Sequence, residues 1–404
     1  MNRNAYHVVV VLALLFASAF ASGITIDQRK AVATSTANGA QACVNIQPFY
    51  WELGESTGVV VNGMSGGNTY LQTTPMNIAS ATKWMYAAYV AEKLAQYYAY
   101  YDISYVGTAG GPEPVPSSDV QFLTMTSGYH SLVNSTCEQV VPSQTVKACA
   151  GAPNGEADSG YNNYFTADDV GHFWYNGGHF QVHATGGQYA STPADPTIYP
   201  PPFMVSLGSL YGWQPTIDTD ELGTAITTVL GLTATTDPGA NEFRFTNPML
   251  AGGVKTTSIV YGQFLRKILD GSLRIGKLLG THAVSDVCAD GSYDCTPIPP
   301  PPVANEVWHY SPGHWVEDAP AVGDGAFSSG GAHGYYPWIW LQPRPGDMYG
   351  GWTTPIYGIV ARDEATLVPT GPFDVANPDE SIGWTSVLCG REIRHAFLTG
   401  VQQP

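Results

Sequence analysis

Residues 77 to 95 read NIASATKWMYAAYVAEKLA, and from Asn77 to Gly107 neither proline nor glycine interrupts the chain. A helix this rich in alanine and aromatics is satisfied only inside a protein core, so the rest of the chain must wrap around it. Lys83 nevertheless stands about one turn into the stretch. A cation buried there costs stability unless its charge is removed or used. Ser80 lies three positions earlier, and positions i and i+3 share a helix face, so the hydroxyl and the amine come within hydrogen-bond range. Serine is a poor nucleophile until something takes its proton, and an amine discharged by a dry pocket can do so. At a helix start the backbone N–H groups and the positive helix end also favour a developing oxyanion. The bland reading is a lysine whose stem snorkels to solvent, and spacing alone does not separate the two.

The start of the chain reads as an address. Asn2 and Arg3 precede an apolar run at residues 8 to 16, and Ala19-Phe20-Ala21 is a small-x-small cleavage site, the pattern of a secretory signal peptide over residues 1–21. The run is too short to span a bilayer, and no second apolar stretch of spanning length follows. A secreted chain over residues 22–404 is the expectation. All six cysteines fall within it: Cys43, Cys137, Cys149, Cys288, Cys295 and Cys389. In an oxidising compartment an even count favours disulfides. The preferred pairing among the fifteen that six cysteines allow is Cys137 with Cys149, Cys288 with Cys295, and Cys43 with Cys389. Asn134-Ser135-Thr136 is a glycosylation sequon. A net charge of -17 argues against nucleic acid and anionic membrane surfaces as partners.

Charged residues make up 12% of the chain, about half the usual quarter, while 45 glycines and 30 prolines point to many loops. Strands are expected around residues 43–76 and again from Val307 onward, where aromatic and β-branched runs alternate with Gly and Pro. Residues 256–271, ending at Gly271, have helical periodicity, and residues 381–401 can close the chain with a helix. The stretch TADDVGHFW is a further helix candidate, with Thr166 as cap and two aspartates in the first turn. An α/β part is therefore expected over about 40–95 and 300–404, with a helical, loop-rich lobe inserted over about 96–299.

With these segments in order, the chain resembles the serine β-lactamase, penicillin-binding protein and esterase superfamily, nearest its class C β-lactamase-related branch. MNIASATKWMYAAYVAEKL is similar to that branch's Ser-x-x-Lys segment, FLTMTSGY (residues 122–129) to its Leu-Leu-Thr-His-Thr-Ser-Gly segment, and NPMLAGGVKTTSIVYGQFLRKILDG (residues 247–271) to its Ala-Gly-Gly-Leu segment and helix entry. HYSPGHWV and GAFSSGGAHGYYPWIWLQP resemble its final strands. The resemblance implies an α+β fold of β-lactamase/transpeptidase type: an antiparallel sheet built from both chain ends, flanking helices and the inserted lobe. It implies Ser80 as acyl-accepting nucleophile, Lys83 as its base or the base's partner, and no metal or organic cofactor.

The second motif, Tyr-x-Asn, falls within HFWYNGGHFQVHA, with Tyr175 as proton-shuttling tyrosine and Gly177 in place of the asparagine. A register one residue earlier puts Trp174 at the tyrosine position, and a literal Tyr161-Asn162-Asn163 lies upstream. The third motif places Ser329-Gly330-Gly331 where Lys-Thr-Gly or His-x-Gly would stand, with Ala332 beside Ser80 as backbone oxyanion donor. A cation there usually anchors a substrate carboxylate, and its absence disfavours β-lactams and D-Ala-D-Ala tails. His333 is a candidate partial substitute. His179 and His183, four apart, have a spacing that can bind a metal, but site-wall or surface histidines is the preferred reading. Lys255-Thr256-Thr257 mimics Lys-Thr-Gly in the wrong segment. The expected activity is esterase-like hydrolysis of a small-molecule or peptide substrate. β-Lactamase or D-amino-acid peptidase chemistry, or a catalytically eroded binding protein on the same fold, is the alternative.

Overall fold

The computed structural model describes residues 24–100, 117–130, 164–184, 219–232, 242–247, 249–285, 306–319, 323–343, 351–364 and 382–404. The signal-like segment, the sequon, Tyr161 and the Cys137, Cys149, Cys288 and Cys295 pairings lie outside these residues.

The chain is a mixed α/β structure with antiparallel sheets and flanking helices. In chain order the strands are β1 (Phe49–Glu55), β2 (Gly58–Ser65), β3 (Met76–Asn77), β4 (Ser127–His130), β5 (Tyr164–Val170), β6 (Phe243–Phe245), β7 (Val254–Thr256) and β8 (Val284–Ser285). The run from Val307 onward supplies β9 (His309–Ser311), β10 (His314–Glu317), β11 (Ala326–Ser328), β12 (Tyr336–Trp340) and β13 (Ile356–Ala361). Eight of them form one sheet in the order β2-β1-β13-β12-β11-β10-β9-β8, so β1 pairs with β13 and joins the two halves of the chain. β3, β7 and β6 form a small second sheet at the entrance to the long helix.

Side chains alternate across a sheet, and each face carries its own helix. The Ser258–Leu269 helix lies over the Glu52 and Tyr357 side, where Gly262 leaves room for the Glu52 carboxyl. The Ile382–Thr399 helix lies over the Tyr336 and Val360 side, where Gly390 does the same for the Tyr336 ring. An N-terminal helix, Ile26–Gly39, packs on this closing helix. Its capping box, Thr25 with Gln28, is a start signal present in the sequence. The Cys43–Cys389 disulfide bridges 346 positions and fastens both termini to that face.

The segment TADDVGHFW is not a helix. Residues 164–170 are strand β5, pairing with β4 at Tyr129 with Phe165 and His130 with Tyr164. A neighbouring strand satisfies the backbone groups that a short, weakly periodic helix would have to satisfy alone, and that overrides the Thr-Asp-Asp start signal.

The long helix, Thr82–Tyr100, is central as its composition requires: Trp84 through Ala91 are all buried without measurable exposure. Part of its cover comes from the β9–β10 hairpin, whose turn at Gly313 lies against Lys83 and Ala87. A Cβ at Gly313 would collide with Ala87, and its φ of 75° is one that glycine adopts without strain. His314, next along, stacks on Trp84 at 5.3 Å.

Candidate active site

Ser80 sits in a single 3₁₀ turn, Ala79–Ala81, that precedes the long helix. Ala79 has φ 43°, in the left-handed region, at a cost of order 1–3 kcal/mol for a residue with a Cβ. The turn is held from both sides: Ile78 N–H donates to Val254 O at 3.0 Å and Ala81 N–H to Ile78 O at 3.0 Å. Ser80 is partly exposed while Lys83 is buried, so the hydroxyl can be reached and the amine cannot.

Lys83 Nζ lies 2.9 Å from Ser80 Oγ and 2.9 Å from the Ala251 carbonyl oxygen. That carbonyl is aimed by a tight turn at residues 249–253, where Gly253 N–H donates to Met249 O at 2.7 Å and Leu250 N–H to Gln181 Oε1 at 2.6 Å. Gly177 packs against the same residue, a Cβ there approaching Ala251 Cβ to 3.2 Å. Lys83 Nζ also stands 4.7 Å from the centre of the Tyr175 ring.

Tyr175 is buried, and burial pushes its phenol up to about 12, with the neighbouring Ser80 hydroxyl and Trp315 indole offsetting part of the rise. Its ring stacks on Trp315 at 5.3 Å and meets Tyr310 edge-on at 5.7 Å. Trp174, its neighbour, is partly exposed. His179 ties this loop to β4, Nε2 donating to Trp174 O at 2.9 Å and Nδ1 accepting from Ser127 Oγ at 2.6 Å, an arrangement that the Nε2–H tautomer makes. His183 lies between Asp119, 2.6 Å away, and the Tyr86 hydroxyl, also 2.6 Å away. The two histidines thus serve separate buried networks, His179 tying the Tyr175 loop to β4 and His183 tying the helix that follows it to Tyr86 of the long helix. Among the described residues no group of three His, Cys, Asp or Glu side chains is arranged to hold a metal ion.

The strand edge is sparser. Ser329, directly after β11, donates its hydroxyl to the Ser80 carbonyl at 3.1 Å. Ser329 N–H pairs with Pro337 O and Gly331 N–H with Tyr335 O. Gly331 is close enough to Ile78 O that no Cβ would fit. His333 Nδ1 stands 3.5 Å from Asp363 Oδ1. Asp363 Oδ2 accepts from the Asn77 backbone at 2.9 Å and from its side chain at 2.8 Å. Burial would raise the Asp363 carboxyl, but those hydrogen bonds and the His333 charge hold it below its usual value.

No protein-family model matches the sequence, and no curated protein matches it. Solved structures do. The D-amino acid amidase from Ochrobactrum anthropi SV3 is 13% identical with a TM-score of 0.47, over 93% of this chain and 97% of that one. Simvastatin synthase from Aspergillus terreus is 14% identical with a TM-score of 0.46, over 92% and 100%. A β-lactamase/D-alanine carboxypeptidase from Yersinia pestis is 14% identical with a TM-score of 0.44, over 91% and 98%.

Ala251, Trp315 and Tyr310 belong to the site and were not singled out from sequence. Their segments were. AGGV and HYSPGHWV carry part of the family resemblance, but which carbonyl meets the lysine and which ring meets the tyrosine depends on turns that sequence spacing does not specify.

Proposed function

We propose that the protein is a secreted serine hydrolase that works by acyl transfer, with esters preferred over amides. The observation that carries this reading is the 2.9 Å approach of Lys83 Nζ, buried against the Tyr175 ring, to Ser80 Oγ. A neutral lysine amine has two N–H groups and one lone pair. With one N–H committed to the Ala251 carbonyl, the lone pair can face the Ser80 O–H. Ser80 Oγ forms a bond to the substrate carbonyl carbon as its proton passes to Lys83. The carbonyl π pair moves to oxygen, where the N–H groups of Ser80 and Ala332 stabilise it. When the tetrahedral species collapses, the bond to the leaving group breaks and that group takes a proton through Tyr175. Water then attacks the acyl-enzyme by the same route in reverse and restores Ser80.

Ester preference is supported by the strand edge. Ser329, Gly330 and Gly331 carry no charge, so this edge lacks the usual anchor for a substrate carboxylate, and Gly177 lacks an amide side chain. The same bareness favours, as a second reading, a binding protein whose catalytic equipment has eroded. The disulfide and the absence of any described helix long and apolar enough to cross a membrane are compatible with secretion.

A fluorophosphonate probe separates the readings. Labelling of the folded wild type that disappears in Ser80→Ala is the expected result. Failure to label folded wild type removes the hydrolase and leaves the binding protein. A panel of p-nitrophenyl esters, a chromogenic cephalosporin and D-amino-acid peptides then ranks substrates, with turnover expected first among the esters.

A further inference from the structure

Tyr175 meets Lys83 from a short connection between β5 and the Gly178–Ala184 helix, and proton transfer tolerates little misplacement of the group that makes it. The chain is fastened at the peptide just before the ring. The Trp174 carbonyl shares one planar unit with the Tyr175 N–H, and it accepts from Asn176 Nδ2 at 3.1 Å and from His179 Nε2 at 2.9 Å. Asn176 lies within the connection and moves with it. His179 belongs to the helix that follows, and its Nδ1 accepts from the Ser127 hydroxyl of β4 at 2.6 Å. His179 and Ser127 are both 0% exposed, so these bonds form away from competing water. From the other side, Trp174 N–H donates to Met125 O at 2.9 Å. Met125 is buried at φ 58°, a left-handed conformation that a residue with a Cβ keeps only where its surroundings impose it. A strained turn and a buried histidine with both ring nitrogens engaged thus converge on the peptides that lead into Tyr175.

We propose that His179 is a positioning residue for Tyr175: oriented by Ser127, its Nε2–H fixes the Trp174–Tyr175 peptide plane and so the place of the phenol beside Lys83. This rests on Tyr175 being the proton carrier of the proposed reaction. A small rotation of that plane is amplified along the tyrosine side chain. Displacing the phenol withholds a proton from the leaving group and leaves the Ser80–Lys83 pair as it is. The cost therefore falls on substrates whose leaving group needs that proton.

The test is leaving-group selectivity. kcat/KM is measured on esters of one acid, from p-nitrophenyl, which departs as a stable anion, to benzyl and ethyl, whose alkoxides must be protonated. The full-length protein is compared with His179→Asn, His179→Gln and Tyr175→Phe. His179→Asn keeps an acceptor for Ser127 but falls short of Trp174 O. It should lose about 10- to 100-fold on the alkyl esters, with little change on the p-nitrophenyl ester or in the rate of fluorophosphonate labelling, which expels fluoride. His179→Gln places an N–H near the Nε2 position and should recover most of the loss. Should His179→Asn fold poorly, Ser127→Ala removes only the hydroxyl that orients the ring and should show the same selectivity to a smaller extent. Equal losses on both ester classes in the folded variant, or none on either, overturn the role of His179. A Tyr175→Phe variant without leaving-group selectivity instead removes Tyr175 from proton transfer, so the two failures are distinguishable.

Discussion

Lys83 and Arg394 are both buried cations, 4% and 0% exposed, and their surroundings differ in kind. Arg394, on the closing helix, meets Glu317 at 2.7 Å and Asp324 at 2.6 Å, with the Tyr336 hydroxyl at 3.1 Å. Burial alone would lower its pKa, but those acidic neighbours hold it well above the usual arginine value. Lys83 meets a hydroxyl, a carbonyl and the face of a phenol. A charge answered by carboxylates has nowhere to send a proton and serves to lock the closing helix to β10. In the proposed reaction an amine set against a hydroxyl has a proton to exchange, and the same burial serves chemistry.

The sharpest way to break this contrast is to remove each cation. Lys83→Met should cut ester turnover by about 10²–10⁴-fold without lowering the denaturation midpoint, since a buried methionine has no charge to desolvate. Activity that survives in Lys83→Met would take the base away from Lys83. Arg394→Met should do the opposite. Breaking one side of a buried ionic cluster costs roughly 3–5 kcal/mol, visible in a urea titration, while turnover per folded molecule stays the same. A midpoint equal to wild type would mean that the cluster contributes no net stability.

A smaller effect sharpens the contrast through pH. His314 is fully buried against Trp84, and burial, partly offset by its hydrogen bond to Pro312 O, holds it down at about 4. The unfolded histidine titrates near 6.5, so the unfolded state takes up a proton first as the pH falls. The contribution of His314 is therefore fully present above about pH 6.5 and is lost down to about pH 4, a loss of up to roughly 3 kcal/mol. Urea titrations at pH 7, 5.5 and 4.5 should show it for wild type and a flatter profile for His314→Gln. Equal slopes would assign acid sensitivity to other groups.

Much of the framework was legible because it rests on local rules. The long apolar helix around Lys83, the helix at 258–269 capped by Thr257 and stopped before Gly271, and the strand run after Val307 follow from periodicity and punctuation. Residues 164–170 were misread because a short polar segment takes its structure from its partner, and that partner was β4. The two histidines at 179 and 183 share a spacing but not a task, since helix packing turns one toward Ser127 and the other toward Asp119.

The sequence by itself determined that a serine and a lysine three positions apart meet at the start of a helix that must be buried, because that spacing and apolar composition are local properties. It also pointed to the closure of Cys43 with Cys389. Only the tertiary structure decided what surrounds the lysine. The Ala251 carbonyl, the Tyr175 ring and the Gly313 turn come from three segments separated by up to 138 positions in the numbering, and their approach is set by the Gly253 turn, the docked Tyr175 loop and the β9–β10 hairpin. Long-range packing selects those neighbours, and the neighbours select whether a buried amine is a cost or a base.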